Sequence, residues 1–428
     1  MKPLRFCMLT TFYPPYHFGG DAIGLQRFVN GLVRAGHEVT VIHDTDAWRM
    51  LVPKGTPEPG PYQHGDGVTV HPLRTKAGKL SCLLTQQLGR PVMNGRTIKR
   101  IIDEGDFDVV NFHNVSLIGG PGLLDQGADA VRIYMAHEHW LVCASHVLWR
   151  HGKELCDEQQ CTRCVLAHRR PPQLWRYTGV LDRKAKQVDA FVAMSRFSAE
   201  KHAEFGFSEP MEVLPYFLPD VEQGAPGGGG PSPHDRPYFL FVGRLEQIKG
   251  LDDVIPAMRG YPEADLVIAG DGNHAEVLRG LAEGIDNVKF LGRLDPADLD
   301  RWYRGALALV VPSVCYETFG IILIESFRYG TPVVARRIGP FPEIVEASGG
   351  GELFDTASDL VDALRRMQQD DERRRRMGEA GFDAWKRLWS ESAVIPRYLD
   401  VVRRAAAERQ GTADLNKGAR RVLEVLGT

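Results

Sequence analysis

No apolar run in this 428-residue chain approaches the roughly 20 residues a membrane-spanning helix needs. Neither sign of charge dominates: 52 Lys and Arg stand against 55 Asp and Glu, a formal net charge of -3, so a global affinity for nucleic acid is not expected. No G-x-G-x-x-G follows the first apolar run. Phe18-Gly19-Gly20 lacks that spacing, which argues against a plain dinucleotide dehydrogenase. Met1 to Thr10 carries Lys2, Arg5 and a short apolar run, but Pro14, Pro15 and aromatic residues follow in place of a small-residue cleavage site. The segment therefore reads as a first strand, and the expected location is cytoplasmic. Seven cysteines in that compartment read as reduced thiols or metal ligands, not disulfides.

The length suggests two domains, since single cores stop growing at roughly 250–300 residues. Leu4 to Leu9 reads as a strand, and Leu25, Phe28, Val29, Leu32 and Val33 carry helical spacing that stops at Gly36. Val39 to Ile42 is the next strand, which completes a βαβ unit and favours a parallel sheet. Val109–Phe112, Val131–Ala136 and Ala190–Ala193 are further expected strands. Gln223 to Pro233 is nearly all Gly, Pro, Ala and Ser and reads as linker. A second series follows it, with strands expected at Tyr238–Val242, Ala264–Ala269, Val288–Leu291, Ala308–Val311 and Pro332–Ala335. The expected division is 1–218, a linker over 219–236, a second domain over 237–390, and C-terminal helices and tail over 391–428. The fold class is α/β, two Rossmann-like domains facing a cleft.

Candidate chemistry clusters in the second half. Glu317 lies in a loop leaving a strand, Gly320 opens a helix, and Glu325 sits just over a turn inside it. A glycine-led helix start suits an anion such as a diphosphate. Flanking carboxylates would then accept hydrogen bonds from sugar and ribose hydroxyls. Arg244 and Lys249 stand at the carboxyl end of the strand ending at Val242, where two cations suit a diphosphate leaving group. Gly270-Asp271-Gly272-Asn273 and Gly292-Arg293-Leu294 follow two more strands. Taken singly, each motif also reads as ordinary turn or surface chemistry.

In order and spacing, Gly243–Gly250, Gly270–Asn273, Glu317–Glu325, Gly330–Ala335 and Gly339–Val345 resemble glycosyltransferase family 4, with its GT-B fold. The first half matches more loosely, through Phe18-Gly19-Gly20, His113 and His137-Glu138-His139-Trp140. The resemblance implies a retaining transfer of a sugar from a nucleotide-diphosphate sugar, without a catalytic metal. It places Arg244 and Lys249 on the donor diphosphate, Glu325 on ribose hydroxyls and Glu317 on the transferred sugar. Backbone around Phe319, Gly320 and Ile321 would meet sugar or phosphate, and His137 would lie near the donor sugar's reacting face. Gly19 and Gly20 would let the first domain approach the phosphates, Gly270 and Gly272 belong to the donor side, and Arg293 and Leu294 would offer backbone to a nucleobase. The acceptor is expected to be sugar-containing, lipid-linked or a natural product. A noncatalytic sugar-nucleotide-binding protein and a sugar-nucleotide epimerase are the competing readings.

Three local features remain. Asp44-Thr45-Asp46 and Asp106-Phe107-Asp108 read as structural loops rather than metal sites. Cys143, Cys156, Cys161 and Cys164 form an insertion near 143–164 with metal-ligand spacing, which points to a structural zinc with no catalytic part ahead of an iron–sulfur cluster, with free thiols as the other reading. From Arg163 to Lys186 there are seven Lys or Arg and one acidic residue, Asp182. That stretch reads first as a solvated face beside the acceptor cleft, with peripheral contact to an anionic membrane or a lipid-diphosphate acceptor as the alternative.

Overall fold

The computed structural model describes residues 2–220, 232–410 and 416–427. Most of the expected linker, residues 221–231, lies outside the described residues. The chain divides into two compact units, Met1–Pro219 with Val394–Thr428, and Asp220–Ala393.

The first unit is built on seven parallel strands: β1 (Arg5–Leu9), β2 (Glu38–Asp44), β3 (Val68–Leu73), β4 (Val109–Phe112), β5 (Val131–Ala136), β8 (Ala190–Ala193) and β9 (Met211–Val213). A small antiparallel hairpin, β6 (Trp149–Arg150) with β7 (Glu154–Leu155), interrupts them. The sheet order is β3-β2-β1-β4-β5-β8-β9. β1, β4 and β5 are buried almost throughout, as central strands covered on both faces must be. Helix Gly20–Arg34 turns Leu25, Phe28, Val29 and Leu32 inward, the spacing seen in the sequence.

The second unit has six parallel strands: β10 (Tyr238–Val242), β11 (Asp265–Ala269), β12 (Val288–Gly292), β13 (Leu309–Val311), β14 (Val333–Arg336) and β15 (Gly351–Phe354). They are ordered β12-β11-β10-β13-β14-β15. Phe239, Phe241, Leu266, Ile268, Val310 and Val334 lie in one buried core with Leu360, Ala363 and Leu364 of helix Ala357–Gln369. Both sheets therefore reverse their winding once, beside β1 and beside β10. Such reversals open a crevice at the strands' carboxyl ends, where ligands of open α/β sheets bind.

The C-terminal segment belongs with the first unit, which the sequence alone did not indicate. The Tyr398 hydroxyl accepts from Asn111 Nδ2 at 3.0 Å, and its ring meets Phe28 edge-on. Further on, Gly418 N donates to Asp129 O at 2.7 Å, and Ala419 and Val422 of helix Lys417–Leu426 are buried.

Candidate functional site

The second unit gathers its polar residues where the strand order reverses. β10 and β13 are neighbours in the sheet, so the loops that leave them start side by side. Lys249 comes from the first loop, at the end of the short turn Gln247–Lys249. Glu317 comes from the second. Lys249 Nζ donates to Glu317 Oε1 at 2.6 Å, and Ser313 Oγ donates to the same oxygen at 3.2 Å. Burial pushes the Glu317 carboxyl up, but the Lys249 charge and the two hydrogen bonds outweigh it and hold the group below its ordinary value. Burial pulls Lys249 down, and Glu317 outweighs that in turn, so the ammonium titrates above its ordinary value. Both groups are thus charged near neutral pH. Arg244 is exposed and pairs with Glu246 Oε1 at 2.6 Å, close enough for its charge to act on Lys249 and Glu317.

Backbone geometry explains the glycines here. Gly250 has φ 74°, and a Cβ on it would meet the Pro312 carbonyl oxygen at 2.0 Å. Only glycine lets the loop after β10 lie that close to the chain leaving β13. Gly320, at φ 119°, precedes helix Ile321–Arg328. Gly270 and Gly272 press their backbones against Gly243 O and Leu245 O, while Leu245 N donates to Asp271 O at 3.0 Å. Gly270 N also donates to Gly292 O at 2.8 Å, so the loops after β10, β11 and β12 are tied together. Arg293 is exposed and Leu294 half-buried beyond that tie.

Phe319 is buried, with its ring 6.5 Å from Trp389, and anchors the loop just before the helix. Ile321 is half-buried at the helix start. Glu325 is half-buried in the helix, and its Oε2 accepts from the Tyr303 hydroxyl at 3.4 Å. Ser313 and Tyr303 were missed in the sequence. Ser313 lies four residues before Glu317, a signal available but unremarkable, and nothing local links Tyr303 to Glu325.

The first unit sets a different group beside its own reversal. His113 follows β4 and His137 follows β5. His113 Nδ1 and His137 Nε2 are 2.7 Å apart, His113 Nε2 is 3.3 Å from Met8 Sδ, and His137 Nδ1 is hydrogen-bonded to the Tyr216 hydroxyl. Burial lowers His137 to about 3, and burial with repulsion from His137 drives His113 well below its ordinary value, so both rings are neutral. A thioether sulfur only accepts, which puts the His113 proton on Nε2. His113 Nδ1 then accepts from His137 Nε2–H, and His137 Nδ1 accepts from Tyr216. Both ring nitrogens of His137 are therefore engaged within the first unit. Tyr216 went unnoticed because it lies 79 residues from its partner.

Gly19 sits just before helix Gly20–Arg34. A Cβ on Gly19 would meet nothing within 4 Å, and Gly20 is exposed, so the helix start is open. His139 lies away from this group, buried and stacked on His202 with ring centroids 5.3 Å apart. The Asp-x-Asp strings are structural. Asp44 caps helix Thr45–Leu51, Asp46 accepts from Thr75 N at 2.7 Å, Asp106 pairs with Lys417, and Asp108 accepts from Arg5 N at 2.9 Å.

The cysteine insertion needs correction. Cys143, Cys156, Cys161 and Cys164 do line one small pocket, with Trp149 and Val165. Among the described residues, however, no group of three or more His, Cys, Asp or Glu is placed to hold a metal ion. The sulfurs have separate partners: Cys143 Sγ meets Ser145 Oγ at 3.3 Å, Cys156 Sγ donates to Glu158 O at 3.4 Å, and Cys164 Sγ accepts from His151 N at 3.3 Å. Burial, together with repulsion from the neighbouring cysteines, pushes the Cys156 thiol up to about 11 and raises Cys161. The described residues therefore give no support to the structural zinc reading, and what they show is a thiol-lined pocket.

Comparison with known proteins reaches both units. Residues 229–384 match the family model described as glycosyl transferases group 1, and residues 18–218 match that of glycosyltransferase family 4. An uncharacterized glycosyltransferase of Methanocaldococcus jannaschii is 26% identical over 384 residues, covering 81% of this chain and 84% of that protein. A D-inositol 3-phosphate glycosyltransferase of Corynebacterium kroppenstedtii is 31% identical over 240 residues, 49% of this chain and 52% of that one, so this match spans about half of that relative. Among solved structures, the sucrose-phosphate synthase of Thermosynechococcus elongatus matches with a TM-score of 0.68 at 18% identity, covering 95% of this chain and 100% of that one. At that identity the likeness concerns the fold.

Proposed function

We propose that this chain is a GT-B glycosyltransferase of the family 4 and group 1 type that takes a nucleotide-sugar donor and transfers the sugar with retention of anomeric configuration and without a catalytic metal. The observation that carries this reading is the Lys249–Glu317 pair, 2.6 Å apart at the carboxyl ends of neighbouring parallel strands. A donor diphosphate carries more negative charge than one carboxylate, so it competes for Lys249 and frees Glu317 to accept from sugar hydroxyls. Arg244 adds a second cation. The amides at Phe319, Gly320 and Ile321 receive the phosphate or sugar, and Glu325 takes the ribose hydroxyls. Gly270, Gly272, Arg293 and Leu294 shape the nucleotide side, and Gly19 and Gly20 leave room for phosphate at a helix start.

In the reaction, the bond from the anomeric carbon to the phosphate oxygen breaks and its electron pair leaves with the nucleoside diphosphate. The acceptor oxygen bonds to that carbon on the same face, and its proton passes to the departing phosphate. Arg244 and Lys249 balance the charge that grows on the leaving group. His137, kept neutral by burial and fixed in orientation by its hydrogen bonds with Tyr216 and His113, packs beside the reacting side of the sugar. The acceptor class is a sugar-containing, lipid-linked or natural-product hydroxyl.

Thermal-shift screening of nucleotide diphosphate sugars identifies the donor. Nucleoside diphosphate release is then followed with candidate acceptors, and the product's anomeric configuration is read by NMR. Release that depends on acceptor, with configuration kept, is expected. A donor that binds but never turns over sinks the enzymatic reading, and an inverted product sinks retention.

A further inference from the structure

Helix Lys79–Leu88 in the first unit is inside out. Its buried residues are Ser81, Cys82 and Thr85, while Leu80, Leu83 and Leu88 are exposed, Leu80 by 53%. An amphipathic helix in a soluble fold normally turns leucine inward. The loop after it adds exposed Val92 and Met93. Beside it, the turn Leu174–Tyr177 exposes Leu174 by 66% and Tyr177 by 64%. Trp175, between those two, is buried instead. It donates from Nε1 to Gln86 O at 2.8 Å and lies against Gly89, which clips the turn to the helix. Thr162 Oγ1 meets the Tyr177 hydroxyl at 2.5 Å, which brings up helix Cys161–Ala167 with its exposed Leu166 one turn on. Of thirteen large hydrophobic side chains exposed among the described residues, eight lie in these neighbouring segments.

The charge around them has one sign. Residues 74–100 contain seven Lys or Arg and no acidic residue, and residues 163–186 contain seven against Asp182 alone. Arg176 is not part of the display: it is stacked on Trp140 and Trp175 and donates to Trp140 O at 2.7 Å. Lys79, Arg90, Arg163, Arg169 and Arg170 are exposed. A second copy of the chain would oppose cations to cations across such a patch. An anionic bilayer supplies both an apolar layer for the leucines and negative headgroups for the cations.

We propose that the first unit docks on an anionic lipid surface through helix Lys79–Leu88, the loop after it and the turn Leu174–Tyr177. Basic residues of both segments meet the headgroups. For residues 163–186 the proposal takes the membrane alternative over the solvated face, and it does not depend on the sugar, the acceptor or the stereochemistry.

The test is flotation of the full chain with vesicles of phosphatidylcholine alone or mixed with phosphatidylglycerol. Binding is expected only with phosphatidylglycerol and weakens with salt. Leu83→Ser with Leu174→Ser, and separately Lys79→Glu with Arg170→Glu, should each reduce it by about tenfold or more. All four residues are exposed, so the variants should melt like the parent chain and shift equally with nucleoside diphosphate. Equal binding to both vesicle types, or variants that float like the parent, would overturn the proposal. So would a dimer of the parent chain that the variants convert to monomer.

Discussion

In the second unit the strand order reverses beside β10, and the loops leaving β10 and β13 carry a lysine and a glutamate joined as an ion pair. In the first unit the corresponding reversal lies beside β1, and there two neutral histidines and a tyrosine share protons in a chain from Tyr216 to Met8. One topology therefore serves two kinds of electrostatics. Where the side chains keep their charge the crevice suits a multiply charged ligand. Where burial strips the charge, the crevice is lined by neutral rings joined through hydrogen bonds. The difference comes from loop residues and not from the sheets that carry them.

The sharpest break in that comparison is to remove charge from the second unit. Lys249→Ala and Glu325→Ala are each expected to lower kcat/KM by about 100-fold or more, as losing a charge-stabilising or substrate-holding group does. Nucleoside diphosphate release with acceptor reads the loss, and an unchanged melting curve shows that the fold survives. Near-parental turnover in both variants would sink the donor-site assignment. Next in size is Gly250→Ala. Its Cβ would stand 2.0 Å from Pro312 O at a φ of 74°, and about 2 kcal/mol or more of stability should be lost, confined to the second unit. Urea titration with peptide-resolved hydrogen exchange measures both the amount and the confinement.

Acid sharpens the contrast further. Burial lowers His43, His137 and His139 to about 3 and His113 well below its ordinary value, all in the first unit. Unfolded histidine binds its proton near 6.5 and these folded ones do not. Their contribution is complete above 6.5 and is lost as the pH falls toward 3, because the unfolded state then binds more protons. Each should cost about 1 kcal/mol over the first pH unit below 6.5. In the second unit, Glu317 titrates below its ordinary 4.5, so its share is lost only in more acid solution. The first unit should open first. His43 is buried, and among the described residues its Nδ1 has no hydrogen-bond partner, so His43→Phe should flatten the first unit's pH dependence. An unaltered slope would show that His43 is not a contributor. The smallest effect is expected from Tyr216→Phe, which takes the donor from His137 Nδ1. A loss of about 1 kcal/mol in stability, and less than about tenfold in transfer, is the expected outcome. A loss as large as that of Lys249→Ala would make Tyr216 part of the chemistry.

Strands β4, β5, β8 and β10 match their expected bounds residue for residue, because each is a short, largely apolar run between turn signals. β3, β9 and β15 were not anticipated. All three are sheet edges; β3 and β9 are largely unburied, β3 carries Pro72, and β15 is only four residues long, so none stands out from loop. Glu317 and Lys249 were legible as strand-end residues, but their pairing was not, since they lie 68 residues apart. Cysteine spacing suggested a ligand set, and the folded chain lines one small pocket with the four thiols, three of which have separate hydrogen-bond partners. Spacing limits which sulfurs can converge and says nothing about how they are turned.

By itself the sequence determined the parallel α/β architecture and the glycine and charged motifs at strand ends, since hydrophobic period and turn chemistry act over a few residues. Tertiary structure decided the rest. It ran residues 394–428 back into the first unit, turned the leucines of Lys79–Leu88 outward, and set the protonation of His113 and His137. Each of these depends on what distant parts of the chain bury or leave open, and burial is a property that no local stretch of residues carries.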